Sequence, residues 1–352
     1  MNTIESDPKN VQAIGKQTIC FACPPAILSR ASIVGEMEGQ GPLASYFDQI
    51  ETDPAFGKES WEEGESEMVR RAVQTAITKS GISKDSIRYI FGGDLLGQLI
   101  GSTFGVKDFQ IPVFGLYGAC STCGEALSLA AMTVNAGYAS HVIAVTSSHF
   151  GSAEKQFRFP LEYGNQRPLS STWTVTGSGA FLVAATSLEQ PMKEYPRIKA
   201  VTTGKIVDYG VRDNMNMGAC MAPAAADVIY QCLEDLSVKP SYFDKIITGD
   251  LGIVGSEILI KLLRDNDCNI EQQHMDCGVE IFYNKEQDTH SGGSGCGCAA
   301  VTFAGYILHE MEQKKWTRIL FVPTGALLST VSFNEGQTIP GIAHAVVIEI
   351  SH

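Results

Sequence analysis

Gly-Asp-Leu follows a short apolar run at two distant places in this sequence. Ile87–Phe91 leads into Gly92-Gly93-Asp94-Leu95, and Lys245–Thr248 leads into Gly249-Asp250-Leu251. A second pair of landmarks keeps the same step. Cys120, in a turn that contains Gly118, lies 26 residues before Thr146, and Cys298, in a glycine-rich turn, lies 26 residues before Thr324. A repeat of this size means two copies of one supersecondary unit, each needing the other to cover its apolar face. The repeat therefore predicts two halves, 1–190 and 191–352, that share a core. Residues 148–172 have no counterpart in the second half and form an insertion, a candidate lid or subunit contact.

Within each copy, apolar runs of strand length alternate with helical periodicity. Met68, Val69, Ala72, Val73, Ala76 and Ile77 recur at helix spacing over 66–79, and Ser80-Gly81 stops them. A strand is expected over 111–116, a helix after Cys120 that closes at Gly137, and a strand over 141–146. The second half predicts a helix over 223–236 opened by Pro223 and a strand over 245–248. It then predicts a helix over 255–263, a strand over 278–283, a helix through Phe303 and Met311, and a strand over 318–322. Alternation of this kind points to an α/β fold with a buried, mostly parallel sheet.

Composition removes several function classes. Twenty-six Lys and Arg against 39 Asp and Glu leave a net charge of −13, and no basic stripe stands out, so a nucleic-acid surface is not expected. No stretch approaches the roughly 18 apolar residues of a membrane span, and the first ten residues lack a charged-then-apolar leader pattern. Ten cysteines in a chain of this length, several inside apolar runs, suit a reducing compartment. A soluble intracellular protein is the expectation.

Four features bear on chemistry. Cys120 stands where a strand turns through glycine into a helix; a helix start lowers a thiol's pKa and favours an adjacent anion, as an acyl-accepting cysteine needs. Cysteine's commoner role is that of a small buried hydrophobe. Gly292-Gly293-Ser294-Gly295 lets backbone N–H groups approach a ligand as an anion-holding nest. Asp94 and Asp250 each end a strand, where open α/β sheets place ligands; the ordinary alternative is a helix cap, expected for at least one of them. Cys20-x-x-Cys23 with Cys120-x-x-Cys123 has the count of a zinc set, but Cys123 falls inside the helix after Cys120, so no metal site is expected. His149, His274 and His344 read as structural.

Taken together, Gly118-Ala119-Cys120-Ser121-Thr122, Glu162-Tyr163-Gly164, Met221-Ala222-Pro223-Ala224-Ala225-Ala226-Asp227, His274-Met275-Asp276-Cys277-Gly278 and Gly292-Gly293-Ser294-Gly295-Cys296 resemble the stage V sporulation protein AD family. The resemblance runs from about Gly15 to Glu349. It implies a thiolase-like fold related to ketoacyl synthase III, with two β-α-β-α-β halves in an αβαβα stack and usually a homodimer. It also implies binding of dipicolinic acid, free or as its calcium chelate, and work at the spore inner membrane with proteins of the same operon. No cofactor is implied.

Condensing enzymes of the synthase III branch place a histidine after the second Gly-Asp-Leu-type strand and an asparagine in the glycine turn. Here those stretches read Thr248-Gly249-Asp250-Leu251-Gly252 and Gly292-Gly293-Ser294-Gly295, which leaves Cys120 as a vestigial nucleophile. The expected ligand wall comprises Asp94, Cys120, Ser121, Gly293, Ser294 and Gly295, with Arg158, Lys205 and Arg212 as candidate balancing cations. The competing reading is an acyltransferase that uses Cys120 with Asp250 or His344 as base.

Overall fold

The computed structural model describes residues 11–158, 161, 166–186 and 195–350. The Glu162-Tyr163-Gly164 motif and the expected boundary between residues 190 and 191 lie outside the described residues. Ten strands form the main path of one sheet. They are β1 (Ala26–Gly35), β2 (Tyr89–Gly93), β3 (Val113–Gly115), β4 (His141–Ser148) and β5 (Gly177–Ala184), then β6 (Arg197–Thr202), β7 (Lys245–Thr248), β8 (His274–Asp276), β9 (Arg318–Val322) and β10 (Ala345–Glu349). Their spatial order is β8-β7-β9-β10-β6-β1-β5-β4-β2-β3. The second five repeat the order of the first five in reverse, and the two runs join where Arg197 pairs with Ala26.

Three strands in each run are parallel, β3-β2-β4 and β8-β7-β9. β5 and β10 run antiparallel to both neighbours, so the sheet is mixed rather than mostly parallel. Apolar runs show that both faces are covered; they carry no sign of strand direction.

Side-chain alternation builds the layers. Along β4 and β5, Ile143, Val145, Ala180 and Leu182 face the helix α1 (Trp61–Ser80), while Val142, Ala144, Phe181 and Val183 face a central core. Along β9 and β10, Ile319, Phe321, Val346 and Ile348 enter the same central core. Leu320, Val322, Ala345 and Val347 face outward toward α4 (Met217–Leu236) and α5 (Gly252–Arg264). The centre is filled by α2 (Thr122–Asn135) and α6 (Cys296–Thr302), which pack on each other. The result is helix, sheet, helix, sheet, helix, the layered α/β arrangement expected for a thiolase-like chain.

The repeat aligns almost as the landmarks suggest. Thr122 sits over Gly93 and Ala299 sits over Gly249, so these two hold equivalent places. Gly93 pairs with Thr146, and the Gly249 N–H donates to Val322 O. The true equivalents are therefore Cys120 with Gly297 and Thr146 with Pro323; both second-half landmarks slip by one residue, which preserves the interval.

Three expected elements differ. α4 starts six residues before Pro223, at Met217, because the Asn216 side chain accepts from Ala219 N and caps it. The expected strand over 278–283 is replaced by β8 and a short helix, Cys277–Glu280, which the Asp276 side chain caps at Val279 N. The helix through Phe303 is broken by a π turn at Phe303–Ile307. Among the described residues no helix is long and apolar enough to cross a membrane.

Candidate functional site

A cavity of about 50 Å³ lies where the Cys120 turn, the Asp250 turn and the glycine turn at Ser294-Gly295 converge. That is room for about four waters. Leu95, Phe157, Met217, Met221 and Leu328 give it apolar walls, and Tyr117, Glu154 and Arg158 bring polar ends.

The Cys120 turn is built from hydroxyls. Ser121 Oγ donates to Gly118 O at 2.7 Å, and Thr122 Oγ1 donates to Ala119 O at 2.6 Å while accepting from Gly118 N at 3.0 Å. Ala119 is held at φ 50°, the left-handed region that a residue with a Cβ enters only when its surroundings force it. This twist presents Cys120 to the cavity. Ser121 is fully buried and spends its hydroxyl on the turn, so it shapes the site without lining it.

Asp94 and Asp250 part company. Asp94 takes Leu96 N at 2.8 Å and Ser102 N at 2.6 Å and does not line the cavity; its carboxylate is spent on backbone donors, one of them in the first turn of the helix Ile100–Val106. Asp250 is freed from that duty by Asp276, which accepts from Leu251 N, Gly252 N and the Thr248 hydroxyl. The Asp250 carboxylate turns inward instead. It accepts from Gly295 N at 2.8 Å and Thr324 Oγ1 at 2.7 Å, and the Cys120 thiol lies beside it.

Gly295, at φ 104°, and Ser294 line the cavity. Gly293 does not. It pairs with Trp173, and a Cβ there would meet Ile281 at 2.9 Å and Val175 at 3.0 Å, in the core. Two N–H groups of the expected nest are already engaged, Gly292 N–H by Thr289 O and Gly295 N–H by Asp250, and in the facing turn the Ser121 and Thr122 N–H groups donate to Gly118 O and Ala119 O. Of the six expected wall residues, Cys120, Ser294 and Gly295 meet in the cavity; Asp94, Ser121 and Gly293 stand behind it.

Burial sets the electrostatics. It pushes Asp250 up to about 7 from an ordinary 3.8 and, with the Asp250 charge next, drives the Cys120 thiol well above its usual range. The thiolate favoured by a helix start, expected from sequence, is overridden by desolvation and an adjacent acid. His149 caps α3 (Phe150–Phe157) through Gly151 N and bonds Pro54 O. His274 bonds Thr248, and His344 accepts from Gly204 N. Burial depresses both His274 and His344 to about 4. Among the described residues the lining contains neither histidine nor asparagine, and no three His, Cys, Asp or Glu side chains gather as a metal would need.

Arg158 is the cation at the cavity. It pairs with Glu154 one helical turn earlier, and its Nε is buried with no hydrogen-bond partner among the described residues. Lys205 pairs with Asp227 on the surface and Arg212 is exposed. Neither Asp250 nor Glu154 belongs to the wall expected from the sequence, and both line the cavity. A readable signal existed for Asp250: Asp276 ends the strand beside it, whereas the equivalent strand of the first half ends in Gly115.

The sequence profile of stage V sporulation protein AD matches residues 15–349. The chain belongs to the stage V sporulation protein AD family. A relative in it, stage V sporulation protein AD of Bacillus subtilis (strain 168), is 39% identical over 335 residues, covering 95% of this chain and 97% of the relative. Solved structures extend the likeness beyond the family. The 3-oxoacyl-(acyl-carrier-protein) synthase III of Aquifex aeolicus VF5 superposes with TM-score 0.55 at 13% identity, over 92% of this chain and 99% of that one. AbyA1, a tetronic acid condensing enzyme, gives 0.59 at 12% identity over 92% and 99%. An OleA variant of Xanthomonas campestris gives 0.58 at 12% over 96% and 99%. At these identities the family shares the fold of such enzymes, and the likeness goes no further.

Proposed function

We propose that this sporulation protein binds dipicolinic acid in the Cys120–Asp250 cavity and does not condense acyl groups. The observation that carries the reading is the unpartnered, buried Nε of Arg158 at a cavity otherwise largely apolar. A buried donor left unmade costs about 1–3 kcal/mol, which a ligand carboxylate recovers as a charge-assisted hydrogen bond. Asp250, poised to carry a proton near neutrality, can donate to the second carboxylate, and Leu95 and Phe157 suit a flat ring. If calcium travels with the ligand, ionised Asp250 and Glu154 supply the oxygen ligands calcium prefers. The ring needs more room than about 50 Å³, so the Arg158 and Tyr117 side chains move aside on binding.

The thiol supports binding over catalysis, because it is held protonated by burial beside a carboxyl group. One feature favours a second reading, acyl transfer: the strained φ of Ala119 aims Cys120 at the cavity. One experiment separates the two. Titration calorimetry with dipicolinate, with and without calcium, is run on wild type and Arg158→Gln, alongside intact mass after incubation with acyl-coenzyme A. Arg158→Gln is expected to weaken binding at least tenfold, about 1.4 kcal/mol, with no acyl adduct on wild type. Unchanged affinity with a mass shift that Cys120→Ala abolishes would replace this reading with the second.

The proposed physiological role is delivery of the ligand to membrane proteins of the same operon as it enters the spore. A homodimer is proposed as the working form. Its support is the free edge strand β3, where Val113, Phe114 and the nearby Tyr117 are each about half exposed.

A further inference from the structure

A second cavity, about 490 Å³ in volume, lies on the other side of α3, within the size range of small-molecule sites. Its chemistry is opposite to that of the first. Glu36, Glu38 and Glu154 contribute carboxylates, and Trp61, Phe150 and Trp173 contribute ring faces; among the described residues no lysine or arginine lines it, and the Arg167 guanidinium lies outside the lining, 5.0 Å from the centre of the Trp173 ring. The aromatic wall is set firmly: Phe150 and Trp173 stack at 3.8 Å with planes 8° apart, and the Trp61 ring lies against Gly151. His149 is spent on Gly151 N and Pro54 O and brings no charge.

Glu38 is the residue the fold leaves unexplained. It is fully buried, and one oxygen accepts from Thr176 N at 2.9 Å. The other, Oε2, has no partner among the described residues. That oxygen sits beside Gly35, which lines the same cavity, so near that a Cβ there would come within 2.9 Å of it. A carboxylate oxygen without a donor, in a cavity of acids and aromatic rings, calls for a cation that carries N–H groups. A quaternary ammonium has no N–H to give it, and the described residues bring no metal-sized cluster together.

We propose that this cavity binds a small organic cation, a protonated primary amine on an apolar or aromatic body, with the ammonium on Glu38 and the body against Trp61, Phe150 and Trp173. The site is separate from the Cys120 cavity and stands without the dipicolinate reading. Two of the chain's three tryptophans line it, so binding reports itself in tryptophan fluorescence.

The test titrates full-length protein with phenethylamine and, in parallel, with 2-phenylethanol, which keeps the shape and loses the charge. Wild type is expected to bind the amine at least tenfold more tightly than the alcohol. Glu38→Gln, with its fold confirmed by circular dichroism and thermal melting, is expected to lose at least tenfold for the amine and little for the alcohol. Should Glu38→Gln fail to fold, Trp61→Leu, on the other wall, takes its place and is expected to weaken the amine at least threefold by calorimetry. Equal binding of amine and alcohol by wild type, no amine binding up to millimolar concentration, or a substituted protein that folds and binds the amine as wild type does would overturn the proposal.

Discussion

Asp94 and Asp250 occupy the same step of the two halves, and their surroundings assign them different work. Asp94 meets two backbone donors and closes a loop; Asp250 meets a thiol, a hydroxyl and one backbone donor at the edge of a cavity. Their identical Gly-Asp-Leu context made the pair legible in the sequence, but not the choice between them. That choice depends on Asp276, brought alongside Asp250 only when β7 and β8 pair. Cys120 was legible as a lining residue; its protonation was not, because a helix start argues for a thiolate and only three-dimensional burial argues against it. A stability prediction follows for Asp250. Its carboxyl group is raised from 3.8 to about 7 in the folded protein, so the fold favours its protonated form. The stability it contributes is fully present below about pH 4 and is lost as pH rises toward 7. Asp250→Asn, which cannot ionise, should therefore be more stable than wild type at pH 8, by about 1–4 kcal/mol, with the gain vanishing near pH 4. Urea titrations at both pH values measure this; equal differences at the two would show that Asp250 keeps an ordinary pKa.

Elements with one dominant signal matched their sequence pattern, and elements decided by a single cap did not. The apolar stripe Met68, Val69, Ala72, Val73, Ala76 and Ile77 is the buried face of α1, and β9 spans the expected residues, 318–322. Pro223 misled because a proline suits a first helical turn; here it lies inside α4, whose start is fixed by Asn216. The 278–283 stretch misled because apolar residues after a glycine look like a strand, whereas Asp276 turns the chain into a helix at Cys277. Asp276 thus clasps the Asp250 turn, taking the N–H groups of Leu251, Gly252 and Val279 and the Thr248 hydroxyl. Asp276→Ala strands three backbone donors in a buried turn and should cost about 3 kcal/mol or more, with Asp276→Asn costing less. Chemical denaturation ranks the two; a loss under about 1 kcal/mol for the alanine variant would mean the turn holds without its clasp.

At the scale of the molecule, the duplication was readable because two independent landmarks kept step, and it settles the layered architecture. What the sequence could not show is that Val113–Gly115 is an edge strand, since it reads like any other apolar strand. In the structure it ends the sheet, with Phe114 and Val113 about half exposed and Tyr117 close by at the cavity. If a second copy covers this edge, it also covers one end of the ligand site. Phe114→Lys should then yield a monomer by light scattering and weaken dipicolinate binding severalfold; a monomeric wild type would remove the edge from this role. The α3 helix carries a further consequence. Its Glu154 faces the Cys120 cavity on one side and the Glu38 cavity on the other, while holding Arg158. A carboxylate in that position answers to both compartments, so whatever draws it toward one alters the free energy of filling the other. Thermodynamic reciprocity makes the influence equal in both directions: an anion that claims Arg158 releases Glu154 to a cation, and a cation that claims Glu154 leaves Arg158 to an anion. Through this one side chain, two ligands of opposite charge that never touch would each favour the arrival of the other.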